Sequence, residues 1–398
     1  MTEKTRLTAV RLLRRRLHVV SHHLAWRKKL LRKSLRNRST RAVARWDLRR
    51  QARRPAVALG WTTNRTGGVK NHLTAIQRHS CYRPRILPSD LCIRAGRGHN
   101  LTSMLGDLFT PKSLARFDLL HSHVNPWFVQ RCREAREEYG VAWVHTYHTL
   151  YFPEDWGGEL KPWQKATNDC LRNVACKADV KICVSRWLQS HLRDQYGIET
   201  TYIPNGVDVS RCDAASATRF EKRFGMRDFA LFIGTSASIK NPVAFIDLAR
   251  RFPKRTFVMI GRRLSRELLE TKYAIPLPRN LRVMGPMPHK DVLDAIAACR
   301  VFVTTSRSEG LPTVLMEAMA LRTPVVGSDR FGVREVIGDP RHGFLHQFRN
   351  HDDLSNKFEA AWNDDGSTGR RARARVETEY DWTCVIRKLD GIYRRLLA

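Results

Sequence analysis

The spacing of apolar positions along this chain changes once, near Pro55. Before it, Val10, Leu13, Leu17, Val20, Leu24, Leu31 and Leu35 recur mostly at three- and four-residue steps, and Arg14, Arg15, Arg16, Arg27, Lys28, Lys29, Arg32 and Lys33 crowd the remaining faces. That spacing predicts a basic amphipathic helix or helix pair, with Trp26 able to sit at an interface. Packing of the stripe on the folded body is the plainer alternative. After Pro55 the period shortens. Apolar, β-branched runs at Ala56 to Gly60, Asp118 to His121, Val141 to Tyr147, Val180 to Val184 and Thr200 to Ile203 alternate with helical stretches. Pro204-Asn205-Gly206 breaks the series, and a second one follows at Phe229 to Gly234, Thr256 to Gly261, Leu281 to Met284, Val301 to Thr304 and Pro324 to Gly327. Alternation of this kind predicts an α/β chain with two parallel sheets, each covered by helices on both faces and facing a cleft.

The boundaries expected are a basic arm over 1–54, a first doubly wound domain over 55–205 and a second over 206–378, with the last segment, 379–398, set apart as a terminal helix by the resemblance described below. Ligands of such sheets bind beyond the carboxyl ends of the strands. Gly67-Gly68, His148 and Glu309 all follow strand candidates, so function is expected in the cleft.

Length and composition agree with this picture. A chain of 398 residues with 42% hydrophobic content has room for two cores. No apolar run approaches the roughly 18 residues of a membrane span, and no continuous apolar centre marks a signal peptide. An Arg-rich, acid-poor start also resembles an organelle transit peptide, though Glu3 and the length of the arm speak against it. The nine cysteines form no C-x-x-C pair, so reduced cytosolic thiols are expected rather than disulfides or a zinc site. Charge adds more. The net value is +33, and the arm alone holds nineteen Lys and Arg against Glu3 and Asp47, a net +17. Such a chain is drawn to polyanions: phospholipid head groups, nucleic acid or acidic glycans.

The richest chemistry lies between Thr304 and Ala320. Glu309 and Glu317 stand eight positions apart across Gly310-Leu311-Pro312-Thr313. Pro312 and Thr313 suit the first positions of a helix. The backbone N–H groups from Gly310 to Thr313 are then free to hold a diphosphate at the positive end of the helix dipole. Glu309 is placed to accept hydrogen bonds from a sugar and Glu317 from a ribose, which describes a nucleotide-sugar pocket. Plainer readings exist for each residue: a carboxylate near a helix N-terminus, a solvated helix face, a strand-to-helix turn at Gly67-Gly68, a buried histidine at His148. Apolar flanks at Val314, Leu315, Ala318 and Met319 argue against a solvated Glu317, since an unpaired buried carboxylate is costly.

From about Ala56 onward the chain resembles the group 1 (family 4) retaining glycosyltransferases of GT-B fold. Five pieces carry the resemblance in order: Thr66-Gly67-Gly68-Val69; the histidine-bearing strand ends Asp118 to His123 and Thr146-Tyr147-His148; the interdomain loop Ile203 to Asp208; Gly234 through Lys240-Asn241; and the two-glutamate segment Glu309 to Glu317. The resemblance implies transfer of a sugar from a nucleotide donor with retention of configuration and without a metal or cofactor. It casts His148, Lys240 and Glu309 as catalytic residues. It casts Gly67, Gly68, Thr235, Arg262, Gly310, Leu311, Pro312, Thr313 and Glu317 as donor-binding, with His121, His123 and Asn205 in the cleft. One departure stands out. The family's arginine after the glycine at Gly234 is Thr235 here, so the cation clamp rests on Lys240, with Arg262 a candidate replacement. The terminal segment from Tyr380 resembles the family's helix that crosses back to the first domain.

The leading expectation is a cytoplasmic glycosyltransferase peripherally bound to the inner face of the membrane. Residues 1–54 would dock it on an anionic surface, where each Lys or Arg contributes roughly 1 kcal/mol, and the acceptor would be a glycan or lipid-linked molecule. A nucleic-acid acceptor, as in DNA modification, would use the same charge through phosphate contacts, with Arg83, Arg85, Arg94 and Arg97 around the acceptor cleft. A non-catalytic GT-B scaffold that binds polyanions is the third reading.

Overall fold

The computed structural model describes residues 55–60, 68–87 and 110–398. The predicted basic arm and Gly67 lie outside the described residues. Twelve described strands form two sheets. In the first, β1 (Val57–Leu59), β2 (Arg85–Ile86), β3 (Leu119–Ser122), β4 (Ala142–Tyr147), β5 (Val180–Cys183) and β6 (Thr201–Tyr202) run in the order β2-β1-β3-β4-β5-β6. In the second, β7 (Ala230–Ile233), β8 (Phe257–Ile260), β9 (Leu281–Val283), β10 (Val301–Thr304), β11 (Val325–Ser328) and β12 (Phe344–His346) run in the order β12-β11-β10-β7-β8-β9. Every pairing is parallel. This is the two-lobed, doubly wound GT-B arrangement.

Most residues of the inner strands are buried, and Val57–Leu59 and Val301–Thr304 are buried along their whole length. Helices cover both faces of a parallel sheet, so its inner strands read as unbroken apolar runs, and that is why they are visible in the sequence. The two strands that the apolar pattern did not predict, β2 and β12, lie at sheet edges. Arg85 is exposed, and Phe344 and Leu345 are only half-buried.

The chain crosses between lobes twice, and the crossings are bonded to each other. Val207 N donates to Tyr380 O at 2.8 Å and Trp382 N to Val207 O at 3.1 Å. Gly206 must be glycine here, because a Cβ would sit 2.6 Å from the Trp382 ring. After the second crossing, the terminal helix (Trp382–Leu396) lays Val385, Ile386, Leu389, Ile392 and Tyr393 on the first sheet, against Val57, Leu59, Leu119 and the opening helix Gly68–His79. Polar bonds fix its register. Asp390 accepts from Ser80 Oγ at 2.6 Å and from Cys81 N at 3.0 Å, and the Tyr393 hydroxyl meets His121 Nδ1 at 2.6 Å.

A third interlobe connection is a borrowed helix cap. The helix Arg186–Tyr196 has Ser185 at its N-cap, with no side-chain cap bond of its own. Its first amides donate instead to Glu335, from the helix Phe331–Ile337 of the second lobe: Arg186 N at 2.8 Å and Trp187 N at 3.3 Å. Burial pushes the Glu335 carboxyl upward, and the two amides work against that shift.

Replacing Tyr393 by Phe strands His121 Nδ1 in a fully buried position. The expected cost is about 1–3 kcal/mol, read from urea unfolding midpoints. A variant as stable as the parent would show that this bond does not hold the terminal helix.

Candidate active site

The lobes meet backbone to backbone. A Cβ on Gly310 would lie 2.2 Å from the carbonyl oxygen of His148, so only glycine allows the glutamate loop to approach the end of β4 this closely. Gly332 repeats the device behind it: its Cβ would lie 2.2 Å from Gly310 O, and its N–H donates to Glu309 O at 3.2 Å. Two side chains complete the junction. Trp187 Nε1 donates to Gly310 O at 2.9 Å, and Asn205 Nδ2 to Leu311 O at 3.1 Å. The Asn205 amide oxygen faces His72 Nδ1 at 3.1 Å.

Lys240 and Glu309, predicted from segments nearly seventy residues apart, are brought into contact. The ammonium lies 2.5 Å from Glu309 Oε1, which also accepts from Ser306 Oγ at 2.7 Å. Lys240 ends a single 3-10 turn, Ser238–Lys240, beyond β7, and the position a Gly234 Cβ would take is 3.7 Å from its Cβ. Thr235 turns inward on its own loop, its Oγ1 accepting from Ala237 N at 3.3 Å. Arg262 is exposed and makes no ion pair among the described residues. The helix carrying Glu317 runs Thr313–Ala320, with Pro312 as its cap rather than its first residue. No side-chain cap or first-turn acid competes for its leading amides, which remain open to an anion.

Glu317 is 8% exposed, and its Oε1 meets His289 Nε2 at 2.8 Å. Both line an interlobe groove of about 90 Å³ with Thr313, Asn71 and Thr74 of the opening helix, and Gly206 of the crossing. Gly68 begins that helix, with open space where a Cβ would stand.

Five buried histidines back the junction. His148 Nε2 and His123 Nδ1 share a hydrogen bond at 3.0 Å, and the His72 ring lies edge-on to His148 with centroids 4.8 Å apart. His121 is stacked on His123, but both of its nitrogens are engaged, with Tyr393 and with Thr146 Oγ1 at 2.7 Å, so it ties three elements together. His145 Nδ1 meets Ser122 Oγ at 2.8 Å. Burial drives all five down, His72 to about 4 and His145 to about 3, with His121, His123 and His148 well below the ordinary value. They are neutral imidazoles at neutral pH. Ring nitrogens of His72, His123 and His148 lie within 4.8 Å of one another, close enough to hold a metal ion. Two of those rings already hydrogen-bond each other and the third bonds Asn205.

Sequence reasoning missed His72, His289 and Trp187. His72 stands in the buried stripe with Leu73, Ala75 and Ile76, where its spacing reads as ordinary core. His289 opens a helix after Pro288, and only its meeting with Glu317 marks it out.

Two doubly wound lobes with a lysine–glutamate pair at their junction define a GT-B protein. The chain belongs to the group 1 glycosyltransferases: residues 215–379 match the family described as Glycosyl transferases group 1, and residues 66–211 match Glycosyltransferase Family 4. It is 28% identical over 236 residues to TuaC of Bacillus subtilis (strain 168), named as a teichuronic acid biosynthesis glycosyltransferase, a match covering 56% of each chain. It is 25% identical over 249 residues to a GDP-mannose-dependent monoacylated alpha-(1-6)-phosphatidylinositol monomannoside mannosyltransferase of Corynebacterium glutamicum, covering 56% of this chain and 64% of that one. The matches thus span less than two thirds of these relatives. Sucrose-phosphate synthase from Thermosynechococcus elongatus shares the fold with a TM-score of 0.72 at 17% identity, over 86% of this chain and 99% of that one.

Two outcomes test the junction. The unfolded chain takes up protons on these histidines below about pH 6.5 and the folded chain does not. Stability is therefore full above about pH 7 and lost as the pH falls from 6.5 toward 4, by about 1.4 kcal/mol per pH unit for each histidine. Urea midpoints at pH 7.5 and 5.5 measure this, and equal midpoints would contradict buried neutral rings. Gly310→Ala forces the backbones apart, so small-angle scattering should show a larger radius of gyration in a chain that is still folded. An unchanged radius would remove the steric argument.

Proposed function

We propose that this chain transfers a sugar from a nucleotide-sugar donor to a glycan or lipid-linked acceptor, with retention and without a metal ion. The observation that carries the reading is the Lys240–Glu309 pair beside Gly310, where the backbones of the two lobes come into contact. A donor diphosphate entering there draws the Lys240 ammonium to itself, and the amides at Thr313 supply further positive charge. These groups neutralise the leaving diphosphate without a divalent cation. Glu309, freed from Lys240, accepts hydrogen bonds from the donor sugar. Glu317, held by His289, accepts from the ribose in the groove.

Retention calls for the acceptor to enter on the face the diphosphate leaves, or for a covalent intermediate. Imidazoles surround His148, with His123 Nδ1 bonded to its Nε2 and the His72 ring edge-on to it, and front-side departure with phosphate taking the acceptor proton needs no carboxylate nucleophile there. Neutral His148, backed by His123, then positions donor hydroxyls. The acceptor class draws on the relatives' names, teichuronic acid synthesis and a phosphatidylinositol mannoside. No helix among the described residues is long and apolar enough to cross a membrane, and the net charge of +33 suits docking on an anionic leaflet through residues 1–54.

Thermal-shift screening against UDP-, GDP- and ADP-sugars, followed by turnover with EDTA present, tests the donor and metal claims. Lys240→Ala should lower turnover by about 100-fold or more while the melting temperature holds. Glu317→Ala should weaken nucleotide binding by calorimetry. Full turnover in Lys240→Ala, or loss of all activity in EDTA, would overturn the assigned chemistry. Co-sedimentation with anionic vesicles, with and without residues 1–54, checks the docking, and equal binding by both forms would discard it.

A further inference from the structure

A second cavity, of about 200 Å³, lies beyond the Lys240 turn, between the helix Pro242–Arg251 and the segment from His346 to His351. A water's share of liquid volume is roughly 30 Å³, so the cavity has room for a small solute. It shares no lining residue with the Glu317 groove. Two arginines line it, Arg307 and Arg349, and neither forms an ion pair among the described residues. Arg307 Nε is buried without a partner. The Arg349 guanidinium lies over the Phe348 ring at 5.4 Å. Asp247, the acid among the lining residues, is engaged by Arg250 at 2.6 Å. The helix Pro242–Arg251 opens on the cavity with no side-chain cap bond and no acid in its first turn.

His346 supplies the observation that points to a ligand. It is 4% exposed and lines the cavity, and its Nε2 is buried with no partner. Its Nδ1 lies 3.0 Å from Gln347 O. A carbonyl oxygen can only accept, so Nδ1 carries the ring hydrogen and Nε2 is a bare acceptor. The cavity therefore offers cationic donors on one side and a single buried acceptor on another.

We propose that this cavity binds hydrogen phosphate, with Arg307, Arg349 and the amides at Val243 and Ala244 taking its charged oxygens and His346 Nε2 accepting its P–OH. The arrangement selects against sulfate, which has the same shape and charge at neutral pH but no hydrogen to give. Arg307 N donates to Ile239 O at 2.8 Å, and Thr305 Oγ1 to Asn241 O at 2.7 Å. An anion held by Arg307 thus braces the turn that carries Lys240. The site stands on its own observations and does not depend on the donor chemistry proposed above.

The test is isothermal titration with inorganic phosphate and, separately, sulfate, at matched ionic strength, in the parent chain and in Lys240→Ala, which disables the proposed diphosphate pocket. One phosphate should bind in Lys240→Ala, with sulfate at least about tenfold weaker. His346→Gln and Arg349→Gln in that background should each weaken phosphate by about tenfold, the worth of one charge-assisted or buried hydrogen bond. Arg349 is exposed, so that variant keeps the test sound if the buried substitution unfolds the chain. No phosphate binding in Lys240→Ala, equal affinity for sulfate, or an Arg349→Gln affinity like the parent's would overturn the site.

Discussion

The separation of the two lobes is set by a contact that involves no side chain at the point of closest approach: the α-carbon of Gly310 against the carbonyl of His148. Everything at the junction depends on that distance. It brings Leu311 O to Asn205 and Trp187 of the first lobe to Gly310, beside the Lys240–Glu309 pair that the neighbouring strands β7 and β10 form within the second lobe. Backbone packing of this kind is stiff, because neither partner has a rotamer to change. The supporting bonds are of the same character. Glu335 caps a helix of the opposite lobe, and the 207 and 380–382 crossings bond to each other, so relative motion must break several directional bonds together.

Behind the contact, the histidine network makes the floor of the junction polar yet uncharged. Five imidazoles removed from water can hydrogen-bond to one another, to Thr146, Ser122 and Asn205, but cannot readily accept a proton. In the proposed chemistry, a positive floor would compete with Lys240 for the donor diphosphate and hold it too deep. A neutral floor leaves the charge where the lysine and helix amides supply it. The same burial makes the junction sensitive to acid.

Much of the architecture was legible because inner parallel strands are apolar on both faces. The strands from Val57, Leu119, Ala142, Val180, Ala230, Phe257, Leu281, Val301 and Val325 all lie within runs visible in the sequence. Two of the four edge strands, β2 and β12, were not visible, being two and three residues long and mostly short of full burial, whereas the edge strands β6 and β9 fell within predicted runs. In the site, Glu309 and Glu317 stood out through their spacing, and Lys240 through the family resemblance. His72 and His289 did not, because a histidine on an apolar helix face and one at a helix start look alike whether they serve a site or a core. Thr235, the departure from the family's arginine, proves to be occupied with its own turn, and the exposed Arg262 makes no ion pair.

Local pattern alone determined the class of fold, the crossing at Pro204-Asn205-Gly206, and the helix start that exposes amides between two glutamates. These depend on periodicity and on the conformational limits of glycine and proline, which act within a few residues. Only the tertiary structure decided which distant groups meet: Lys240 with Glu309, His289 with Glu317, Asn205 with His72, and the glycine of one lobe with a carbonyl of the other. Side-chain chemistry is written in the sequence one residue at a time, whereas a contact is a property of two chain segments whose meeting the packing of both lobes must fix.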